Sequence, residues 1–541
     1  MAPREADAHP VTRQHDDKET SHVTTQVESR ALLTDVEEAK ASLTDARRGA
    51  ALERQRKRAD MTARERIAYL CDKGSFQEIG GLAHPKEGAA KRAPADGVVV
   101  GTGRVDGRWC AVVSQDFSVF GGSIGEIGSD KTSRIAHIAR EQGMPLVMLL
   151  DGGGHRIQGG QNSRHFAKAG PFFHELARMS GWVPMVAAML GAGFAGPTNY
   201  AGMADFVVMV RGRSTMGLAG PALVKAGTGE EIGLEELGGA EAQVDRHGLA
   251  DLGVESEAAA IDAVKRYLSY LPSNARQPLP LGPPDDPLDR RAEALLDLVP
   301  ANTRRVYDIR KVIDHVVDAG SSFEIKPTFA RNIVTSLARL GGRPVGVIAN
   351  QPMRLGGMLT SDACDKAAHF IAVCDAFGLP LVYLIDVPGF SIGSGAERTV
   401  LGRHSAKMVF ELGQATVPRI SVVLRKGYGL GYFAMCGGRS FGADASFAWP
   451  TAEICAMSIE GSVDVAYRQD YEKAADPAAR RQELIDKIRA DIGVLEAAGG
   501  FGIDDVIDPR DTRFQLISVL SRAPARRDNR QPPKFRSIVP I

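Results

Sequence analysis

Short apolar runs alternate with helical patterns along most of the chain. Residues 186–190 (VAAML) and 206–210 (FVVMV) are uninterrupted apolar runs of strand length, whereas residues 31–73 are rich in Ala, Glu, Arg and Leu, as helices are. Strands that alternate with helices imply a mostly parallel sheet whose faces are covered by the helices. The pattern therefore predicts an α/β fold.

The chain contains an internal duplication. The stretch GRWCAVVSQDFSVFGGSIGEIGSDKTSRIAHIAREQGMPLVMLLDGGG, which begins at Gly107, aligns without a gap with GRPVGVIANQPMRLGGMLTSDACDKAAHFIAVCDAFGLPLVYLIDVPG, which begins at Gly342. At this offset, Asp151 meets Asp386. After a one-residue slip, the GAGFAG loop at residues 191–196 meets GYGLG at residues 427–431. Two similar domains are therefore expected.

Composition changes mark the boundaries of these domains. Residues 1–28 are polar and charged, which predicts a disordered tail. A run dense in proline, SNARQPLPLGPPDDP, lies near the middle of the chain, and we place a linker at residues 276–290. The predicted domains are residues 29–275 and 291–541.

The bulk composition excludes several classes of protein. Lys plus Arg equals Asp plus Glu, at 66 each, so no overall charge attracts nucleic acid or an anionic membrane. The apolar runs have strand length, so no transmembrane helix is expected. The six cysteines form no C-x-x-C pair, which predicts neither a metal site nor a disulfide framework and favours a reducing cytoplasm.

Two short motifs are typical of other functions, dinucleotide binding and hydrolysis. GAGFAG has the form G-x-G-x-x-G of a dinucleotide-binding loop, but Pro197 follows at once and leaves room for only two helical turns before the next strand. The GGSIG loop places Ser123 in the G-x-S-x-G form of a hydrolase nucleophile, yet Met358 occupies the matching position of the second half. His155 and Arg156 follow a glycine turn, where a structural role is favoured.

The glycine loops themselves offer a further chemistry. Small residues allow consecutive backbone N–H groups to point at one spot, and the N-terminus of a helix adds a positive partial charge. Such a pair of donors can stabilise an oxyanion, and the duplication would supply two such sites. Tight packing alone would also explain the glycines, and the repeat does not separate the two interpretations.

Longer motifs carry a family resemblance from about Thr62 to Arg513. The stretches DFSVFGGSIGEIGSDK, LLDGGGHRIQ, GPALVKAGTGEEIGLEELGGAEAQVDRHGLAD, VIANQPM, DVPGF and FAWPTAEICAM resemble the carboxyltransferase (β) subunit of biotin-dependent acyl-CoA carboxylases. The resemblance implies two crotonase-like domains in a hexamer, a trimer of dimers. It implies that the N-terminal domain binds acyl-CoA and the C-terminal domain binds carboxybiotin. Biotin would be carried by a partner α subunit with biotin carboxylase and biotin carrier functions.

The resemblance also implies site residues. The oxyanion hole for the thioester matches Ala195 and Gly196, and the hole for the biotin carbonyl matches Leu430 and Gly431. The remaining expected contacts are Gly153, Gly154, Phe194, Tyr432 and Phe433 with the substrate, and Gly429, Leu430 and Gly431 with biotin. In the family the freed biotin nitrogen removes the α-proton of the thioester, so no side-chain base and no metal are expected.

The sequence departs from the common family pattern at one important position. Members with a clear propionyl or acetyl preference usually read YGGAY followed by Asp or an aliphatic residue, whereas this chain reads YGLGY followed by Phe433. The acyl preference is therefore left open. Two other functions also remain open: a biotin-independent decarboxylase of an alkylmalonyl-CoA, and a structural subunit of a carboxylase complex.

Overall fold

The computed structural model of the chain is an α/β fold built on two large sheets. It describes residues 17–58, 61–85, 93–156, 166–167, 170–283, 285–526, 536 and 538. The strands of the first half are β1 (Gln77–Ile79), β2 (Val98–Val105), β3 (Arg108–Gln115), β4 (Leu146–Leu150), β5 (Met185–Met189), β6 (Ala192–Phe194), β7 (Phe206–Val210), β8 (Thr215–Gly217) and β9 (Leu252–Val254). Those of the second half are β10 (Phe323–Ile325), β11 (Ile333–Leu340), β12 (Arg343–Asn350), β13 (Leu381–Val387), β14 (Arg419–Tyr428), β15 (Ala445–Ala448), β16 (Glu453–Cys455) and β17 (Asp505–Val506).

Helices surround both sheets. In the first half they are α1 (Asp17–Ser42), α2 (Gly49–Arg56), α3 (Ala63–Leu70), α4 (Glu126–Gln142), α5 (Pro171–Met179), α6 (Gly196–Gly202), α7 (Pro221–Thr228), α8 (Leu234–Gly238) and α9 (Glu257–Tyr270). In the second half they are α10 (Leu295–Leu298), α11 (Ile309–Val316), α12 (Ser361–Phe377), α13 (Ser394–Arg398), α14 (Leu401–Gln414), α15 (Gly429–Ala434), α16 (Ile459–Ala466), α17 (Arg468–Glu472), α18 (Pro477–Asp491), α19 (Val494–Gly499) and α20 (Thr512–Arg522).

Seven strands of each large sheet follow the same order, and the second sheet has an eighth strand, β16, which pairs with β14. The first has the strand order β1-β2-β3-β4-β5-β7-β9 and the second β10-β11-β12-β13-β14-β15-β17. In each sheet the first three strands are antiparallel to one another and the remaining pairs are parallel. The carboxyl ends of β4 and β5 therefore lie at the same edge of the first sheet, and those of β13 and β14 at the same edge of the second. Ligands bind at this edge in such sheets.

The duplication holds at the level of individual residues. Val98 pairs with Gln115 in the first sheet and Ile333 pairs with Asn350 in the second, and each residue is shifted by the same 235 positions as the sequence repeat. Helices α4 and α12 begin and end at the same offset. The one-residue slip between the halves falls where β14 pairs irregularly with β13, between Ile385 and Val387.

The two halves are packed directly against each other. The ring of Phe206 lies 5.8 Å from the ring of Phe323, and Lys326 forms a buried ion pair of 3.1 Å with Asp251. One hydrophobic cluster contains residues of both halves. The described residues between Tyr270 and Leu295 form neither helix nor strand.

The N-terminal segment begins with the long helix α1. Of the predicted tail, residues 1–16 lie outside the described residues, whereas residues 17–28 belong to α1, so the segment predicted as disordered includes helical residues.

Candidate active site

The loop GAGFAG connects β5 to the short helix α6. This helix has seven residues, as the position of Pro197 predicts, and is too short for a dinucleotide-binding crossover. Ala195, directly before the helix, has φ of 60°, a conformation that side chains rarely adopt. Its N–H donates to the carbonyl of Gly217 at 2.8 Å. That donor, expected to be free, is therefore engaged.

A second glycine loop faces the start of α6. A Cβ atom on Gly154 would lie 2.9 Å from Cβ of Ala195 and 4.0 Å from the backbone nitrogen of Gly196. Within the described part of the chain, the N–H groups of Gly154 and Gly196 have no hydrogen-bond acceptor. These two donors, with the loop residues that carry them, are called the N-terminal cradle below.

The second half contains an equivalent arrangement at the start of α15. A Cβ atom on Gly431 would lie 2.9 Å from Cα of Gly389, which corresponds to Gly154. The N–H groups of Gly429, Leu430 and Gly431 occupy the first turn of α15, where no helical acceptor exists. Gly389 with these three residues is called the C-terminal cradle.

The backbone around both cradles is hydrogen-bonded in the same way. Ile124 donates to the carbonyl of Gly154 at 3.0 Å, and Leu359 donates to that of Gly389 at 3.0 Å. The isolated bridge between Ile124 and His155 has its counterpart between Leu359 and Phe390. The repeat has therefore preserved the geometry of the loops.

A small cavity of about 20 Å³, lined by both apolar and polar residues, lies beside the N-terminal cradle. Ile124 and Tyr200 line it, and both are within 3.4 Å of the position that a Cβ atom on Gly196 would occupy. Val98, Val113, Leu150 and Phe172 add apolar surface. The cavity holds about one water molecule, and its apolar lining lies beside the two N–H donors.

The other predicted site residues are divided between surface and interior. Phe194 packs on the glycines of the following loop, with its ring 3.2 Å from a Cβ position on Gly217, and Gly153 borders open space. Tyr432 is buried, whereas Leu430 and Phe433 are 56% and 39% exposed. Leu430 and Phe433 can therefore contact a ligand at the C-terminal cradle.

Among the side chains that the structure describes near the N-terminal cradle, none is arranged as a nucleophile with its base. The Ser123 hydroxyl donates to the Phe120 carbonyl at 2.8 Å and accepts from Arg156 at 3.3 Å, so it is held by structural bonds rather than activated as a nucleophile. Burial raises the pKa of Tyr200 to about 12 and that of Cys455 to about 11, so both remain protonated at neutral pH. Among the described residues, no group of His, Cys, Asp and Glu is arranged to hold a metal ion.

Two buried aspartates lie behind the cradles, and the sequence predicts no role for them. Asp151 and Asp386 directly precede the glycine loops, and both are fully buried. Asp151 pairs with Arg58 and Arg66, and Asp386 pairs with Arg425 and Lys426. Their alignment in the repeat could have marked these aspartates as important, but the sequence does not show which cations pair with them.

Comparison with known proteins agrees with this architecture. The carboxyl transferase domain family matches residues 54–538. The carboxyltransferase subunit of propionyl-CoA carboxylase from Haloferax mediterranei is 40% identical over 90% of this chain and 95% of its own length. The α subunit of methylmalonyl-CoA decarboxylase from Veillonella parvula is 38% identical over 90% and 94%. The hexameric transcarboxylase 12S, crystallised with methylmalonyl-CoA, superimposes with a TM-score of 0.86 at 38% identity, over 94% of this chain and 97% of that one.

The fold and these relatives thus define an enzyme built from two duplicated crotonase-like domains. The chain belongs to the carboxyl transferase domain family. The predicted family and fold class are confirmed.

Proposed function

We propose that this enzyme transfers a carboxyl group from carboxybiotin to the α-carbon of a short or medium acyl-CoA. The observation that carries the proposal is the pair of equivalent cradles, one in each half, each built from unpaired backbone donors. Two carbonyl compounds that develop negative oxygen, the thioester and the ureido group of biotin, need two such sites. The names of the relatives support the same chemistry.

The N-terminal cradle would hold the thioester oxygen. The N–H groups of Gly154 and Gly196 belong to two loops in close contact, and the start of α6 adds its partial positive charge. When the α-proton leaves, charge moves onto this oxygen, and fixed donors in a dry site stabilise the enolate more than the ground state. In this arrangement Ala195 shapes the turn rather than donating.

The C-terminal cradle fits the carbonyl of biotin. The close approach of Gly431 to Gly389 leaves no room for bulky side chains, and Leu430 is exposed. Biotin, when bound, supplies the carboxyl group and a nitrogen base. The contribution of this chain is to orient that ring with the N–H groups of Gly429, Leu430 and Gly431 and to stabilise charge on its oxygen. No metal is assigned to this subunit.

Domain roles and partners follow from the same proposal. Residues 29–275 would bind acyl-CoA, residues 291–541 would bind carboxybiotin, and residues 276–290 would link them. The likeness to the hexameric transcarboxylase 12S supports a hexamer built as a trimer of dimers. A separate α subunit would carry the biotin carboxylase and biotin carrier functions. The cytoplasmic location stays a prediction; within the described ranges, no helix has the length and apolarity that a membrane crossing needs.

In the proposed hexamer the C-terminal domain of one subunit would complete the acyl-CoA site of its partner, and Phe433 is therefore expected to limit the size of the acyl group. Its ring is 39% exposed, 5.4 Å from that of Tyr432, at the end of the first turn of α15. Replacing Phe433 by alanine removes that ring, so we expect activity with longer alkylmalonyl-CoAs to rise severalfold relative to methylmalonyl-CoA. The measurement is a ranking of kcat/KM over malonyl-, methylmalonyl- and longer alkylmalonyl-CoAs. An unchanged ranking would remove Phe433 from the pocket. Val465→Ala, a truncation of an exposed apolar residue elsewhere in the same half, is the control.

The name of the decarboxylase relative bears on one of the two alternatives. Its name states loss of a carboxyl group from methylmalonyl-CoA, which the same two cradles can serve in the reverse direction. Dependence on biotin separates a carboxyltransferase from a biotin-independent decarboxylase. Failure to bind any acyl-CoA would support a structural subunit.

A further inference from the structure

Asp151 lies between the two loops of the N-terminal cradle. Its own backbone precedes the loop that ends at Gly154, and Gly152 donates to the carbonyl of Ala192 in the other loop at 2.7 Å. The carboxylate is fully buried, so it requires cations for compensation. The position of this carboxylate and its cations therefore affects both loops.

The cations that compensate Asp151 and its equivalent Asp386 come from different parts of the two halves. In the second half, Lys426 stands on β14 itself and reaches Asp386 at 3.4 Å. The residue at the equivalent position of the first half is Gly191, 235 positions earlier. The segment that leads from β5 into the N-terminal cradle therefore carries no cation at the position equivalent to Lys426.

Arg58 occupies the space that Gly191 leaves open. Its two terminal nitrogens donate to the two carboxylate oxygens of Asp151, at 3.0 and 2.6 Å. A Cβ atom at Gly191 would overlap both this guanidinium and the carboxylate. The guanidinium also lies over the ring of Phe117, 3.4 Å from its centroid. Arg58 therefore bonds to Asp151, packs on Phe117 and lies beside Gly191 of the other loop.

We propose that Arg58 is a positioning residue for the N-terminal cradle. This inference rests on the proposed function, and it makes the turn that follows α2, with Arg58, part of the acyl-CoA half of the active site. Arg58 reaches the donors only through Asp151, because the bidentate pair fixes the direction of the peptide that leads to Gly154. Arg66 neutralises part of the same charge but also pairs with Glu257, so it cannot replace the two bonds that Arg58 makes.

The test compares substitutions of two arginines of the same segment. Arg58→Ala is expected to lower kcat for biotin-dependent loss of carboxyl from methylmalonyl-CoA about 10- to 100-fold, because a small displacement of a donor has an effect of that order. KM for free biotin should change less than about twofold. Arg58→Lys should recover part of the loss, since an ammonium keeps the charge without the bidentate geometry. Arg56→Ala, which removes an exposed pair with Glu65, should behave as wild type.

Amide hydrogen exchange gives a readout that does not depend on activity. In Arg58→Ala, or in Arg58→Lys should the alanine variant not fold, peptides covering residues 151–156 and 191–196 should exchange faster. The equivalent peptides, residues 386–391 and 426–431, serve as internal controls and should be unchanged. Unaltered exchange in the first pair, or wild-type kcat in Arg58→Ala, would overturn the proposal. A wild-type enzyme without activity would contradict the proposed function alone, since the exchange data would still decide the role of Arg58.

Discussion

Replacing Gly196 by proline is expected to lower biotin-dependent turnover of methylmalonyl-CoA by at least about a hundredfold. Proline has no N–H, so the substitution removes one of the two donors of the N-terminal cradle. Loss of one oxyanion donor costs roughly 2.7–4 kcal/mol of transition-state stabilisation, equivalent to a factor of about 10² to 10³. Because the interaction strengthens in the transition state, kcat and kcat/KM should fall together.

Gly196→Ala is the matched control for this substitution. Alanine keeps the N–H, and its Cβ atom would lie 3.4 Å from Cδ1 of Ile124 and from the hydroxyl oxygen of Tyr200, which are the ends of side chains. We expect turnover within about tenfold of wild type and an unchanged oligomeric state in both variants. Equal activity of the proline variant and the wild type would contradict the assignment of Gly196.

Leu430→Pro is expected to have an effect of similar size at the C-terminal cradle. Leu430 occupies the first turn of α15, where its N–H has no helical acceptor, so proline removes a donor that the helix itself does not use. Turnover with free biotin should fall about 10² to 10³-fold, while the dissociation constant for propionyl-CoA should stay within about twofold. Steady-state kinetics and isothermal titration calorimetry measure the two quantities.

Leu430→Ala separates the side chain from the backbone donor. The leucine side chain is 56% exposed, so its truncation leaves the N–H in place and disturbs little packing. This variant should retain most of the activity. If both variants lost activity equally, the side chain of Leu430 rather than its N–H would be the functional group.

The duplication made the fold predictable in unusual detail. Because the offset of 235 is the same in sequence and in structure, the equivalence of helices α4 and α12 follows from the alignment. The same offset extends to β2 and β11, which precede the aligned stretch. The short crossover after GAGFAG was also predictable, since Pro197 and the next apolar run leave so few residues between them. Glycine spacing thus located both cradles.

The sequence does not show which two backbone N–H groups form the N-terminal cradle. The resemblance assigned the first hole to Ala195 and Gly196, but the N–H of Ala195 bonds to Gly217, a residue on β8 that the repeat does not mark. Gly154 instead faces Gly196 across the cradle. The role of Arg58 could not be predicted either, because its partner Asp151 lies 93 residues away in the sequence. The space beside Gly191 that Arg58 fills is apparent only in the structure.

The most direct test of the account measures loss of the carboxyl group from methylmalonyl-CoA by the purified full-length chain, with and without free biotin. Mass spectrometry would follow the formation of propionyl-CoA. The account predicts that product forms only when biotin is present, at a rate that saturates with biotin concentration. Product formation at the same rate without biotin would contradict it and identify a biotin-independent decarboxylase. Absence of product from malonyl-, methylmalonyl- and longer alkylmalonyl-CoAs alike would also contradict it.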